Sequence, residues 1–288
     1  MYRILSLDGG GLRGLISLGL IRRVGEAMGN PEWYNRAQLY AGTSTGGIIA
    51  LGMASGIPLQ RIEQLYRTRG PRIFNRKSWW YMSSVFRLLR SGYNNRVLRQ
   101  ELDRLFAATT IQELDRAVVI PSYLLDNRSA VYRRWKPKIF HNLAGSDQDH
   151  GLCSHIARYT SAAPSYFPSA GGYIDGAVYA NNPSMCALAQ ALDPRNTNTV
   201  AEREISIVSI GTGLTAHYQP GKRHAWGMLR WAPKLIRIVF DGSEGIADYQ
   251  CRQILGPQRY LRMQPWVEET IELDQPRHIP RIDRLVAA

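Results

Sequence analysis

The stretch "AQLYAGTSTGGIIALGMASG" (37–56) constrains the fold more than any other. An apolar run ends at Gly42, the chain turns through Thr43-Ser44-Thr45, and an apolar helical run starts at Gly46. A strand handed over to a helix in so few residues turns so sharply that a side chain at either flanking glycine would strike its neighbours. Such a junction belongs in a layered α/β protein, with the strand in a central sheet and the helix packed back on it. The N-terminus has the same form. "YRILSLD" alternates as a buried strand, "GGGLRG" turns, and "LISLGLIRRVGEA" has helical spacing.

Further on, "RAVVIPSYLLD" (116–126) and "AVYRRW" (130–135) predict a strand pair around the turn "DNRS", and "REISIVSIGTG" (203–213) predicts another β-rich run. Residues 60–110 read mostly as amphipathic helix and 193–204 as a polar surface loop. With no internal repeat, low-complexity tract or long linker, one domain over 1–288 is expected, with a motif-bearing core over about 3–213 and a helical part over 214–288.

Composition narrows the class. Hydrophobic residues make up 44% and charged residues 20% of the chain, the balance of a folded globule. Cys153, Cys186 and Cys251 are odd in number and widely spaced, which is no disulfide framework and fits a reducing compartment. Asp8, Arg13 and the glycines interrupt any signal-peptide core near the N-terminus, and no run of apolar residues is long enough to span a bilayer, so a soluble, cytoplasmic protein is expected. The formal net charge of +13 favours anionic partners. No nucleic-acid-binding signature accompanies it, so nucleic acid is not expected; charge alone does not separate an acidic membrane surface from a merely basic exterior.

Three stretches carry chemistry. In "DGGGLRG" (8–14), Gly9-x-Gly11-x-x-Gly14 matches the dinucleotide fingerprint, in which glycines let backbone N–H groups face an anion at a helix N-terminus. That reading needs an acidic residue at the end of the second strand. Here the second strand ends in "YAGTSTGG", which counts against a nucleotide cofactor. The same amides around Gly9, Gly10 and Gly11, with Arg13 beside them, are equally suited to holding an oxyanion, and a tight turn without a ligand stays open as well. Ser44, between Gly42 and Gly46, fits a nucleophile elbow whose following helix favours negative charge. In "GGYIDGAVYANNP" (171–183), Asp175 follows an apolar pair and precedes Gly176-Ala177, which projects its carboxylate; a plain Asp-Gly turn between strands is the competing reading.

A conventional triad wants a histidine after the aspartate. His217, His224 and His278 follow Asp175; His217, after "GTG", is the least poor candidate. His141, His150 and His155 precede it. No histidine pair has metal-ligand spacing, so no metal is expected. The chain offers a serine and a carboxylate without a clear imidazole. A carboxylate can act as the base if burial raises its pKa and direct contact orients the hydroxyl.

The ordered set "DGGGLRG", "GTSTGG", "TSAAPSYFPS" (160–169), "DGAVYANNP" and "IVSIGTG" (207–213) resembles the patatin-like phospholipase family over roughly residues 3–213. The resemblance implies a three-layer α/β/α fold around a central, mostly parallel sheet. It implies a Ser44–Asp175 dyad, an oxyanion hole at the glycine loop (Gly9, Gly10, Gly11, Arg13, Gly14), and ester hydrolysis of phospholipid or lysophospholipid acyl chains without metal or other cofactor. One departure is Asp175-Gly176-Ala177, where the family often has DGG. An acyltransferase on the same acyl-serine, an effector gated by a small molecule such as a cyclic nucleotide, and a non-catalytic storage protein are the alternatives. Beyond residue 213 the likeness thins and carries no residue roles.

Two segments suit contact with an anionic phospholipid surface, and so peripheral membrane association. "SWWYMSSVFRLLRSG" (78–92) sets Trp79, Trp80, Tyr81 and Phe86 beside Arg87 and Arg90. "HAWGMLRWAPKLIRIVF" (224–240) puts Arg230, Lys234 and Arg237 on one helical face and Leu235, Ile236 and Val239 toward another, with Trp226 and Trp231 at its start. An amphipathic helix packed on the sheet is the open alternative.

Overall fold

Alternation along the strands builds two cores on one sheet. In the computed structural model, which describes residues 1–74, 92–146, 151–196, 200–215, 218, 220, 225, 227–268 and 271–287, the strands are β1 (Tyr2–Leu7), β2 (Leu39–Gly42), β3 (Ala117–Leu124), β4 (Lys136–His141), β5 (Tyr173–Asp175), β6 (Ile205–Ile210), β7 (Leu214–Thr215), β8 (Tyr260–Met263) and β9 (Trp266–Val267). Leu5, Leu7, Tyr40, Val118, Ile120 and Ile210 point to one face, and Ile4, Leu39, Ala41, Val119, Ile205 and Ile207 to the other. Side chains that alternate at a period of two, apolar on both faces, require helices on both sides.

The first face is covered by α1 (Gly14–Ala27), through Leu15, Ile16, Leu18 and Ile21, and by α2 (Thr45–Ala54). All ten residues of α2 are buried, as expected for a helix that is apolar all round. Around it lie α3 (Leu59–Gln64), α4 (Gly70–Ile73), α5 (Arg96–Phe106) and α6 (Cys153–Thr160). After the short α7 (Ala177–Ala180), α8 (Ser184–Ala191) and α9 (Met228–Leu255) cover the second face with Ala187, Leu188, Ala191, Cys251 and Leu255. The last helix, α10 (Ile279–Ala287), packs on α1. These are the three layers the sequence leads one to expect.

The main sheet runs β4-β3-β2-β1-β6-β8. The pairs β3–β2, β2–β1, β1–β6 and β6–β8 are parallel, and β3–β4 and β3–β5 antiparallel. One register positions the site. β3 is longer than β2, so it pairs with β2 at Leu39↔Ala117 to Ala41↔Val119 and then, farther along, with β5 at Ser122↔Asp175. Since β4 pairs Val119 to Leu124 along the opposite edge of β3, β5 continues the line of β2 past the turn that follows Gly42.

Two expectations need correction. "AVYRRW" is not a strand: β4 begins only at Lys136, and Val131, Tyr132 and Trp135 are exposed on a loop. Asn127 closes that loop, its N–H donating to the Arg134 carbonyl at 3.1 Å and its Oδ1 accepting from the Arg134 N–H at 2.9 Å. Residues 214–288 are not only helical, because β8 pairs with β6 and extends the main sheet. The helix read from 224–240 runs to Leu255, where Gly256 at φ 68° ends it.

Candidate active site

Ser44 lies at the junction of β2 and α2 with φ 55° and ψ −121°, outside the regions a non-glycine residue ordinarily occupies. The flanking glycines are what make this backbone possible. A Cβ at Gly42 would sit 2.1 Å from the Gly46 carbonyl oxygen, and one at Gly46 would sit 2.2 Å from the Leu7 carbonyl oxygen. Further hydrogen bonds hold the turn. The Ser44 N–H donates to Thr160 Oγ1 at 2.9 Å, and that hydroxyl donates to the Pro121 carbonyl at 2.6 Å. The Thr45 hydroxyl donates to the Tyr66 hydroxyl at 2.6 Å. Tyr66 comes from a π-helical turn, Leu65–Arg69, a local irregularity that often accompanies functional sites.

β5 brings Asp175 to this turn. Its Oδ1 accepts the Ala177 N–H at 2.8 Å, and the carboxylate interacts with the Ser44 side chain. Asp175 is almost wholly buried. Burial pushes its pKa from 3.8 up to about 7, opposed by the Ser44 side chain and the Ala177 N–H. The carboxylate is thus poised to take a proton near neutrality.

The glycine loop follows β1 on the other side of Ser44; a Cβ at Gly9 would come 3.3 Å from Ser44 Cβ. Its amides are not equivalent. Gly9 N–H donates to the Asn181 carbonyl at 3.1 Å, and Leu12 N–H to the Leu273 carbonyl at 2.8 Å. Gly14 N–H turns back to the Gly11 and Leu12 carbonyls. Gly10 and Gly11 are left with no partner for their N–H groups among the described residues. The candidate donor set therefore narrows from the expected stretch to Gly10 and Gly11. Gly14 serves packing instead: a Cβ there would meet the Thr45 hydroxyl oxygen at 2.4 Å. Arg13 reaches the same space, its Nη1 donating to the Gly213 carbonyl at 3.3 Å while Nε has no hydrogen-bond partner among the described residues. Burial pulls its pKa down, opposed chiefly by the charges of Glu244 and Asp241.

Gly10, Gly11, Arg13, Ser44 and Asp175 share one cavity of about 150 Å³. Its inner wall is apolar, built from Ile48, Leu65, Ile73, Phe74, Leu98 and Phe167. His141, His155 and His278 do not line it, and His150, His217 and His224 lie outside the described residues.

No motif or spacing pointed to the charge network under the glycine loop. Arg262 of β8 donates to both carboxylate oxygens of Asp8, to Ser209 Oγ at 2.8 Å and to Glu244 at 2.8 Å. Glu244, on α9, also accepts the Asn181 side-chain N–H at 3.0 Å, and Asn181 in turn carries Gly9. Asn181 lies inside "DGAVYANNP" and Thr160 inside "TSAAPSYFPS", so both stood in motifs without an assigned task. Arg262 and Glu244 had no local signal at all.

The segments read as membrane-contacting fare unevenly. Trp79, Trp80 and Trp226 lie outside the described residues, as do Tyr81, Phe86, Arg87 and Arg90. Trp231 is partly buried on α9. On the same helix Leu235 and Val239 are exposed, Ile236 is half-buried, and Arg237 pairs with Glu272 at 3.1 Å and lines the cavity. Among the described residues no helix is long and apolar enough to cross a membrane.

Fold and turn together define a layered α/β protein with a glycine-flanked elbow at the end of a central strand. Residues 5–188 match the family model described as patatin-like phospholipase. The chain is 28% identical over 292 residues to a cGAMP-activated phospholipase of Pseudomonas aeruginosa, covering 99% of this chain and 83% of that one. It is 30% identical over 311 residues to patatin-like protein 1 of Oryza sativa subsp. indica, covering 91% and 73% respectively. A cGAMP-activated phospholipase of Escherichia coli is 28% identical over 250 residues, covering 78% and 69%. The chain belongs to the patatin-like phospholipase family, and so to the lipid-hydrolysing esterases.

Proposed function

We propose that the chain is a serine lipid acyl hydrolase of the phospholipase A or lysophospholipase type, with Ser44 as nucleophile and Asp175 as its base. The observation that carries this reading is that Ser44, on its strained turn, and the buried Asp175 line one cavity with the glycine loop, the Asp175 carboxyl interacting with the Ser44 side chain and its pKa raised to about 7 by burial. Asp175 takes the proton as Ser44 Oγ attacks the ester carbonyl carbon. The carbonyl oxygen becomes an oxyanion held by the Gly10 and Gly11 N–H groups, with the Arg13 cation adjacent. When the tetrahedral intermediate collapses, the ester C–O bond breaks and the lysolipid oxygen leaves with the proton from Asp175. Water, giving a proton to the same carboxylate, then attacks the acyl-serine; the fatty acid departs and Ser44 recovers its proton. The acyl chain lies along the apolar wall of Ile48, Leu65, Ile73 and Phe167.

The test is mass-spectrometric product analysis on phospholipid and lysophospholipid. Ser44→Ala and Asp175→Asn are each expected to lower fatty-acid release by at least about a thousandfold while the proteins stay folded. A His278→Ala loss of similar size would restore a triad and remove Asp175 as the base. Transfer of the acyl group to an added alcohol in preference to water would make the chain an acyltransferase. A small-molecule activator is the second reading, favoured by two relatives named as cGAMP-activated phospholipases and by the net charge of +13. Assaying release with and without cGAMP decides it: a rate unmoved by the nucleotide rules that activator out.

A further inference from the structure

We propose that the loop joining β3 to β4, residues 125–135, is, with Lys136 at the start of β4, a docking surface for an anionic lipid bilayer. The proposal rests on the lipid acyl hydrolase reading only for why such a surface is useful here.

The loop exposes apolar bulk that a protein surface ordinarily avoids clustering. Val131 and Tyr132 are each 77% exposed, Trp135 68% and Leu125 39%. Arg128, Arg133 and Arg134 are exposed among them and Lys136 is half-buried, against a single acid, Asp126. Asp126 is engaged by Arg133 through Nε and Nη2, and that guanidinium, with the Arg128 N–H, holds its pKa down at about 2.

This is a built loop. Besides the two Asn127–Arg134 bonds, one between backbones and one to the Asn127 side chain, Asn127 Nδ2 donates to the Tyr132 carbonyl at 2.9 Å. Ser129 Oγ accepts the N–H groups of Val131 at 3.3 Å and Tyr132 at 3.1 Å. The polar side chains thus tie up the backbone, and the apolar ones project.

Its position relates it to the candidate site. β3 runs parallel to β1 and β2, whose C-terminal ends carry the glycine loop and Ser44. Ser122 on β3 faces Asp175, and Leu125 N–H donates to the Gly172 carbonyl at 2.9 Å. The loop therefore starts about 10 Å along the strand from the Asp175 register position. A bilayer touching it meets the same end of the sheet.

The chemistry favours lipid. Tyr and Trp with cations suit the headgroup layer, while Val131 and Leu125 suit the acyl boundary beneath it. A polyanion such as nucleic acid would use the arginines and leave the aliphatic side chains without a role. The segment is separate from those around Trp79 and Trp226.

Sedimentation with phosphatidylcholine vesicles, with and without phosphatidylglycerol, tests the proposal in the full chain carrying Ser44→Ala, so that binding is read without turnover. Val131→Ser/Tyr132→Ser/Trp135→Ser and Arg128→Glu/Arg134→Glu are each expected to weaken partitioning onto phosphatidylglycerol vesicles by about tenfold or more. In the Ser44 background both variants are expected to keep hydrolysis of a soluble short-chain ester within about twofold and an unchanged melting curve. Unchanged vesicle binding would overturn the proposal, as would equal loss with and without phosphatidylglycerol or a parallel loss of soluble-ester turnover. So would single-stranded oligonucleotide binding that disappears in the arginine variant while vesicle binding persists. Wild-type protein that binds vesicles but hydrolyses no ester would sink the hydrolase reading and leave the docking surface standing.

Discussion

Ser44 occupies a backbone conformation that costs a non-glycine residue about 1–3 kcal/mol, and the surrounding contacts hold it there. Gly42→Ala would thrust a methyl group at the Gly46 carbonyl, with backbone rather than a yielding side chain in the way. Thermal or denaturant unfolding is expected to show a loss of at least about 2 kcal/mol, and a loss below 0.5 kcal/mol would mean the turn can relax in a way these contacts do not allow. The proposed base, Asp175, carries a pH prediction. A carboxylate acts as a base only when ionised, and burial lifts the pKa of this one from 3.8 to about 7. For soluble esters kcat/KM is therefore expected to rise about tenfold per pH unit below this value and to level above it. A profile flat from pH 5 to 8 would exclude Asp175 as the titrating base. For stability the sign is opposite. Between 3.8 and about 7 the folded state binds the proton that the unfolded state has released, so this group's contribution falls as pH rises through that window. A base raised in this way comes at some expense of the fold.

Among elements, β8 does what its four residues hardly announce. Through Arg262 it fixes Asp8, the residue that leads into the glycine loop, and ties it to Glu244 on α9. Both Arg262 and Asp8 are almost fully buried. Arg262→Met would leave two carboxylates without their cation in the interior, with an expected loss of about 3–5 kcal/mol in chemical denaturation. Because the glycine loop starts directly after Asp8, at Gly9, kcat on soluble ester is expected to fall in the same variant, measured where it is still folded. Asp8→Asn added to Arg262→Met is expected to recover part of the stability by removing one orphaned charge; no recovery would show that the network matters through its shape. β5 is equally short, and only its pairing with the far half of β3 puts Asp175 over the elbow. Both strands escape notice in the sequence because three or four alternating residues also occur freely in loops. "AVYRRW" shows the converse, rich in strand-forming Val, Tyr and Trp yet standing in solvent as a loop.

At the scale of the whole molecule, the site is assembled from both ends of the chain. The match to the family model stops at residue 188, yet Gly213, Arg237, Glu244 and Leu273 line the cavity or brace its loop. Ending the chain at residue 227 would expose the β6 edge now paired with β8 and uncover Ile4, Leu39 and Ile207 by removing Cys251, Leu255 and Tyr260. Such a fragment is expected to be insoluble or molten, judged by near-ultraviolet circular dichroism and its loss of cooperative melting; a soluble, cooperatively folding fragment would show that α9 and β8 are accessory. The strand–turn–helix units and the two glycines flanking Ser44 were legible in the sequence, because each depends on near neighbours: a period of two, a period of 3.6, or a turn too tight for a side chain. Asp175 was a candidate only through the ordered set of motifs, since by itself it reads as an Asp-Gly turn. What only the tertiary structure decided is everything that depends on separate segments meeting. That includes which glycine-loop amides are already taken, that Arg262 and Glu244 brace the loop, and that a stretch rich in strand-forming residues is an exposed basic loop at the site's end of the sheet. The physical reason is that hydrogen bonds, burial and pKa belong to contacts in space, and a sequence gives only the order of the groups that make them.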